Sequence, residues 1–210
     1  KTTLVISLLT MGIATFLIGL LPTFLTIGVG AAALMLVRAS RDALLPLWAT
    51  AIGLDAAQTS LVFAASSFVD LTLFYLGGSI MDRLGRRAVA VPAMVIMGTC
   101  FGLLPLAATG IGLGAVALGL GLGNGISAGV VMTLGSDASP AVGRTQFLAG
   151  WRLTTGIGGA LGPVMISALA ATASLSVAAI AVAALGWLGA AWLWHWGGPS
   201  RTGAASNQVG

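Results

Sequence analysis

Arg38, Arg41, Asp42, Asp70, Asn124 and Arg152 interrupt long apolar runs in a chain with few ionisable groups. Placing a charge at membrane depth costs roughly 2.5 kcal/mol or more on insertion scales, so each asks for a physical reason. Arg38 and Asp42 are four residues apart, share a helix face and can pair. Pro46 is expected to end or kink that helix. Two readings are open for this group. In one, Arg41 or Arg38 binds an anionic or polar group and Asp42 exchanges a proton, making a substrate or proton site. In the other, the charges form a self-satisfied ion pair near a helix end, with arginine reaching toward the interface. Asp70 has no basic residue within one helical turn. It needs a partner from another helix, such as Arg38 or Arg152, or it holds a proton, which suits proton coupling. Asn124 can bridge helices or hydrogen-bond a substrate, and bridging is the simpler reading. Arg152 reads either as a cavity cation or as an anchor at the membrane edge.

Other chemistries lack their residues. There is no paired Ser/His arrangement, no His/Glu metal cluster and no phosphate-cradling loop, so no enzyme, metal or cofactor is expected. Cys100 is the only cysteine, reads as a buried inert thiol, and leaves no disulfide framework. The net charge of +4 is scattered, without a basic face or aromatic-basic interleaving, which argues against nucleic acid.

The elements that position these residues follow from composition. Charged residues make up 7% of the chain and hydrophobic residues 58%, with mean hydropathy +1.05. A soluble domain carries about 25% charged residues, so this chain cannot cover a water-facing surface and the lipid bilayer is its solvent. A membrane helix needs about 20 mostly apolar residues. That length predicts seven segments: Leu4–Leu21, Phe24–Leu47, Leu61–Met81, Ala88–Ala108, Ile111–Leu134, Phe147–Ala171 and Leu175–Trp196. The fold class is an all-α, polytopic transmembrane helix bundle. Residues 1–23 form an extra apolar helix, 24–196 a six-helix unit, and 197–210 a small, polar tail that reads as disordered. Trp48, Trp151, Trp187, Trp192, Trp194 and Trp196 lie near segment ends, where interfacial anchoring is expected; Trp151 can alternatively stack on Arg152.

The positive-inside bias predicts orientation. The turn bearing Arg83, Arg86 and Arg87 is expected to be cytoplasmic, together with the Ser136–Thr145 loop and the carboxy-terminal tail. The opposite turns, at Asp55, Gly110 and Ser174, carry no Lys or Arg. Strict alternation puts Lys1 outside, against the bias, so either the first helix is not a normal part of the bundle or the chain is a truncation or fusion.

Glycine recurs at Gly119, Gly121, Gly123, Gly125 and Gly129, and again at Gly156, Gly158, Gly159 and Gly162 before Pro163. Small residues let membrane helices pack closely. Static packing is one reading; smooth faces for sliding helices, with bending at Gly159, Gly162 and Pro163, is the other.

The stretch Gly77-Gly78-Ser79-Ile80-Met81-Asp82-Arg83-Leu84-Gly85-Arg86-Arg87 resembles the signature loop of the major facilitator superfamily of secondary transporters. Its pattern is Gly, three spacers, Asp-Arg, one spacer, then Gly-Arg-Arg or Gly-Arg-Lys; Gly78, Asp82, Arg83, Gly85, Arg86 and Arg87 match. On physical grounds Gly78 can admit a neighbouring helix and Gly85 can make a turn closed to larger residues. Asp82 can pair with Arg86 or Arg83, and Arg86 and Arg87 can meet lipid headgroups. The resemblance covers roughly Thr26–Trp196 and implies a carboxy-terminal half, helices seven to twelve of a twelve-helix transporter. It further implies a latch role for the loop, against a plain topology anchor. The implied function is proton-coupled, alternating-access transport of a small-molecule substrate across a bacterial cytoplasmic (inner) membrane. The alternative is a non-transporting membrane interaction module that pairs with a second half or forms a homodimer.

Overall fold

In lipid, every backbone polar group must be satisfied within the protein, which favours helices. The computed structural model describes residues 22–140 and 143–196, and nearly all of them are helical. Among the described residues seven α-helices follow in order: α1 Pro22–Ala51, α2 Ala56–Leu84, α3 Arg87–Leu103, α4 Gly110–Ser127, α5 Val130–Ala138, α6 Arg144–Thr172 and α7 Leu175–Trp196. A 3-10 turn, Leu104–Leu106, extends α3. Five stretches are long and apolar enough to cross a membrane: α2, α3 with its 3-10 turn, Gly110–Ala138 (α4 and α5 together), α6 and α7. The 30-residue α1 has comparable length and carries Arg38, Arg41 and Asp42. The expected all-α membrane bundle is therefore observed. The first expected segment and the tail lie outside the described residues.

The turns expected to lack positive charge carry polar caps. Asp55 closes a capping box with Gln58, its side chain accepting from the Gln58 amide at 2.7 Å. Thr109 Oγ1 accepts from the Gly112 amide at 3.2 Å, and Ser174 Oγ from the Val177 amide at 3.2 Å. At the opposite end, α2 stops at Gly85, whose φ of 88° is open to glycine and strained for other residues.

Helix α2 packs chiefly on α4, α1 on α6, and α3 on α7. Phe101, Leu34, Met94, Met97, Leu113, Leu120 and Ile166 are fully buried between them. Close approach depends on missing side chains: a Cβ on Gly125 of α4 would strike the backbone of Asp70 on α2.

Three expectations need correction. Of the two outcomes expected at Pro46, the ending does not occur: helix α1 continues to Ala51. A membrane helix tolerates an internal proline; one turn on, Thr50 Oγ1 donates to the Pro46 carbonyl at 3.1 Å and the Leu47 carbonyl at 2.8 Å. The segment expected as one helix over Ile111–Leu134 is interrupted at Ala128 and Gly129. Trp48 and Trp151 are not interfacial anchors. Both are buried and donate from their ring N–H groups to distant backbone, Trp48 to the Ala107 carbonyl just after the 3-10 turn at 2.9 Å and Trp151 to the Val131 carbonyl of α5 at 3.0 Å.

Candidate functional site

Four polar side chains from three helices meet inside the bundle. Arg41 of α1 lies against Asp70 of α2, with Nη1 2.9 Å from Oδ2. Asn124 of α4 donates from Nδ2 to the same Asp70 oxygen at 2.5 Å. Its Oδ1 accepts from Arg38 Nε at 2.9 Å. Arg38 Nη1 then donates to the carbonyl of Ser127 at 3.1 Å. A continuous chain thus runs Arg41, Asp70, Asn124, Arg38, Ser127. An amide is suited to its middle, because one end donates to a carboxylate while the other accepts from a guanidinium. That chemistry dictates which way the Asn124 amide points.

Depth follows from helix register. Asp70 is the fifteenth of the 29 residues of α2, and Asn124 the fifteenth of the 29 in Gly110–Ala138. Arg38 is the seventeenth of the 30 in α1. The chain therefore lies near mid-height, where an unpaired charge is most costly. Arg41 is buried and its Nε has no hydrogen-bond partner among the described residues. Asp70 retains 24% side-chain exposure. Its Oδ1 accepts no hydrogen bond among the described residues.

The structure does not bring all the candidates together. Asp42 is exposed and forms no ion pair among the described residues, so the expected Arg38–Asp42 pair is absent. Arg38 turns instead toward α4. Asp70 takes Arg41 as its ion partner, not Arg38 or Arg152. Arg152 is exposed on α6, and the ring of Trp151 stacks on Phe147 at 6.3 Å. On α6, Gly162 lies against Leu36 and Ser40 of α1, whereas Gly159 has only an ordinary contact with Met35; the helix runs unbroken through Pro163.

A second cluster ties one end of the bundle together. Arg86 meets Asp137 at the end of α5, with Nε 2.6 Å from Oδ2 and Nη2 donating to Oδ1 at 3.3 Å. The guanidinium of Arg87 sits 4.6 Å from the ring centre of Trp194 on α7. The arginine-rich turn, the end of α5 and the end of α7 therefore share one face of the bundle. Asp82 and Arg83 are exposed, and the partner expected for Arg86 at Asp82 is Asp137 instead. Sequence reasoning overlooked Asp137, which lies 51 positions from Arg86. The close helix approach expected at Gly78 occurs at Gly77: a Cβ on Gly77 would strike the Ile126 backbone, while one on Gly78 meets nothing within 4 Å.

A family model described as Major Facilitator Superfamily matches residues 27–209. The chain belongs to the major facilitator superfamily. A search of curated proteins found no match. Superfamily membership, together with the apolar helices, makes this an integral membrane protein of the transporter kind. In this superfamily member, the signature-like turn and the buried polar chain occupy different levels of the same bundle. Helix α2 connects them, carrying Asp70 at its middle and ending in Asp82-Arg83.

Proposed function

We propose that the chain takes part in proton-coupled, alternating-access transport of a small solute, with Asp70 as the proton carrier. The observation that carries this reading is the mid-height Arg41–Asp70 ion pair, cross-braced by Asn124 and Arg38. A carboxylate whose charge is held by a guanidinium on a different helix links proton occupancy to helix contact. Protonation cancels the Coulomb attraction between α1 and α2, and deprotonation restores it. Asp70 Oδ1 is the natural atom for the proton, since both neighbouring donors use Oδ2. Exposed Asp42 stands beside Arg41 as a second carboxylate on the route. Alternation would rock one helical bundle against another about this level, with the Gly162-Pro163 region as the bending element and the arginine-rich turn as a cytoplasmic latch. The proposed setting is a bacterial cytoplasmic membrane.

Proteoliposome uptake driven by an imposed pH gradient tests the reading. Asp70→Asn is expected to abolish gradient-driven accumulation, and Asp42→Asn to reduce it. Uptake unchanged in both variants would remove the proton-coupling reading.

A second reading is favoured by the bare apolar faces of α2 and α6. Phe68 and Tyr75 are 71% and 83% exposed, and Leu153, Ile157 and Val164 are also uncovered. Such faces suit contact with a complementary six-helix half or a second copy, with transport arising only in the assembly. Cross-linking in membranes separates the two: a discrete dimer or a rescuing half supports assembly, and uptake by cross-link-free monomer supports the lone chain.

A further inference from the structure

The span formed by α4 and α5 is interrupted at Ala128 and Gly129. Ser127 is the last residue of α4 and Val130 the first of α5, with Ala128 and Gly129 between them. The Ala128 amide reaches back only three residues, to the Gly125 carbonyl at 3.3 Å, and regular bonding resumes with the Thr133 amide on the Gly129 carbonyl at 3.2 Å. A broken ladder leaves carbonyls that need donors, and at membrane depth water does not supply them. At the last residue of α4, Arg38 from another helix donates to the Ser127 carbonyl at 3.1 Å. The same guanidinium is held by Asn124, one turn before the break, and Asn124 is held by Asp70.

We infer that Arg38 is a positioning residue that clasps the break in the α4–α5 span, and that the charge on Asp70 governs the clasp through Asn124. With Asp70 ionised, Asn124 Nδ2 makes a charge-assisted bond that fixes the amide plane and presents Oδ1 to Arg38. Arg38 is then directed at the Ser127 carbonyl and the break is held. With Asp70 neutral, that bond weakens, Asn124 gains rotational freedom, and the Ser127 carbonyl loses its oriented donor. The break becomes a hinge. Discontinuous helices near the bilayer middle suit such motion, because few residues need to change conformation.

The charged surroundings of Asp70 are few. Helix α1 supplies Arg41, Arg38 and, exposed, Asp42; α4 supplies no ionisable side chain; α3 supplies Arg87 at its far end and the Cys100 thiol. Among these, Arg41 is the ion partner of Asp70, so the clasp and the ion pair share one carboxylate. The inference concerns hinge motion, so it stands or falls separately from any transported solute.

Hydrogen–deuterium exchange of the full chain in lipid nanodiscs tests it, comparing the amides of residues 126–133 with those of 113–121 in the same span. Arg38→Gln is expected to raise exchange in 126–133 by roughly tenfold or more, corresponding to an opening easier by about 1.4 kcal/mol, while 113–121 stays protected. Arg38→Lys restores part of the protection, because it keeps a donor. Asp70→Asn raises exchange in the same segment although Arg38 is intact. If Arg38→Gln does not fold, Arg38→Lys and Asp70→Asn carry the comparison. Unchanged exchange in 126–133 for Asp70→Asn, or an increase spread evenly over 113–133, would overturn the inference.

Discussion

Gly77 of α2 and Ile126 of α4 meet backbone to backbone, so closely that a methyl group on Gly77 would enter the space of the Ile126 carbonyl. The contact lies between Asp70 and the arginine-rich turn on α2, and beside Ser127 on α4. It sets the distance between the two helices that carry Asp70 and Asn124. Gly77→Ala is expected to cost about 1–3 kcal/mol, since backbone must move to admit the methyl. Gly78→Ala meets open space and, inside a helix, should be neutral or stabilising by up to about 1 kcal/mol. Unfolding midpoints in bicelles compare the two. Equal losses would contradict the packing described.

Much of this fold was legible because lipid imposes one rule on every span. The bounds of α7 coincide with the expected Leu175–Trp196, where an apolar run ends at a polar tail. What hydropathy cannot carry is contact between helices. Gly77 and Gly78 are identical as letters, and only the neighbouring helix distinguishes them. Arg38 and Asp42 satisfy the spacing rule for a helical pair, yet Arg38 finds better acceptors on α4, and Asp70 finds Arg41 29 positions away. The break at Ala128-Gly129 was hidden because small residues read the same in a continuous helix as in an interrupted one. Tryptophans near segment ends suggested an interface role, but Trp48 and Trp151 sit where buried carbonyls need donors.

The Arg86–Asp137 pair is partly exposed, at 20% and 50% for the two side chains. Pairs in such positions contribute less than about 1 kcal/mol and are screened by salt. Asp137→Asn should therefore shift the thermal midpoint in detergent only slightly, and less at high salt. Its effect should appear in conformational preference. Asp137→Arg places two cations together and is expected to separate the turn from α5, increasing thiol labelling at an introduced Ser139→Cys. The exchange Arg86→Asp with Asp137→Arg should return labelling toward wild type. Asp82→Asn should leave it unchanged, because Asp82 does not pair with Arg86.

Trp151 fills the space left by Gly135, where an added Cβ would lie 2.5 Å from its ring nitrogen, and it donates to the Val131 carbonyl in the first turn of α5. Trp151→Phe keeps most of the ring but strands a buried carbonyl, at an expected cost of about 1–3 kcal/mol. Trp194→Phe retains an aromatic face for Arg87 and should cost less than about 1 kcal/mol. Thermal unfolding in one detergent ranks them. A Trp194 loss equal to that of Trp151 would mean that burial at the α5–α6 contact is not what matters.

The Arg41–Asp70 pair should show strong and unequal coupling. Arg41 is 5% exposed, so removing its carboxylate with Asp70→Leu leaves a buried guanidinium without a counter-charge, and also takes the acceptor from Asn124. Breaking a buried pair from one side costs about 3–5 kcal/mol. Arg41→Met is milder, because Asp70 keeps Asn124 as donor and some access to its surroundings. The double variant Arg41→Met, Asp70→Leu buries no unpaired charge and should be more stable than Asp70→Leu alone, giving a coupling term opposite in sign to simple addition. Denaturation of all four proteins in the same bicelles measures the cycle. If the two single losses add, the contact does not hold α1 to α2. If the double variant regains stability yet accumulates no solute under a pH gradient, the pair serves transport and contributes little to folding, the pattern expected where a costly buried charge is kept for its proton.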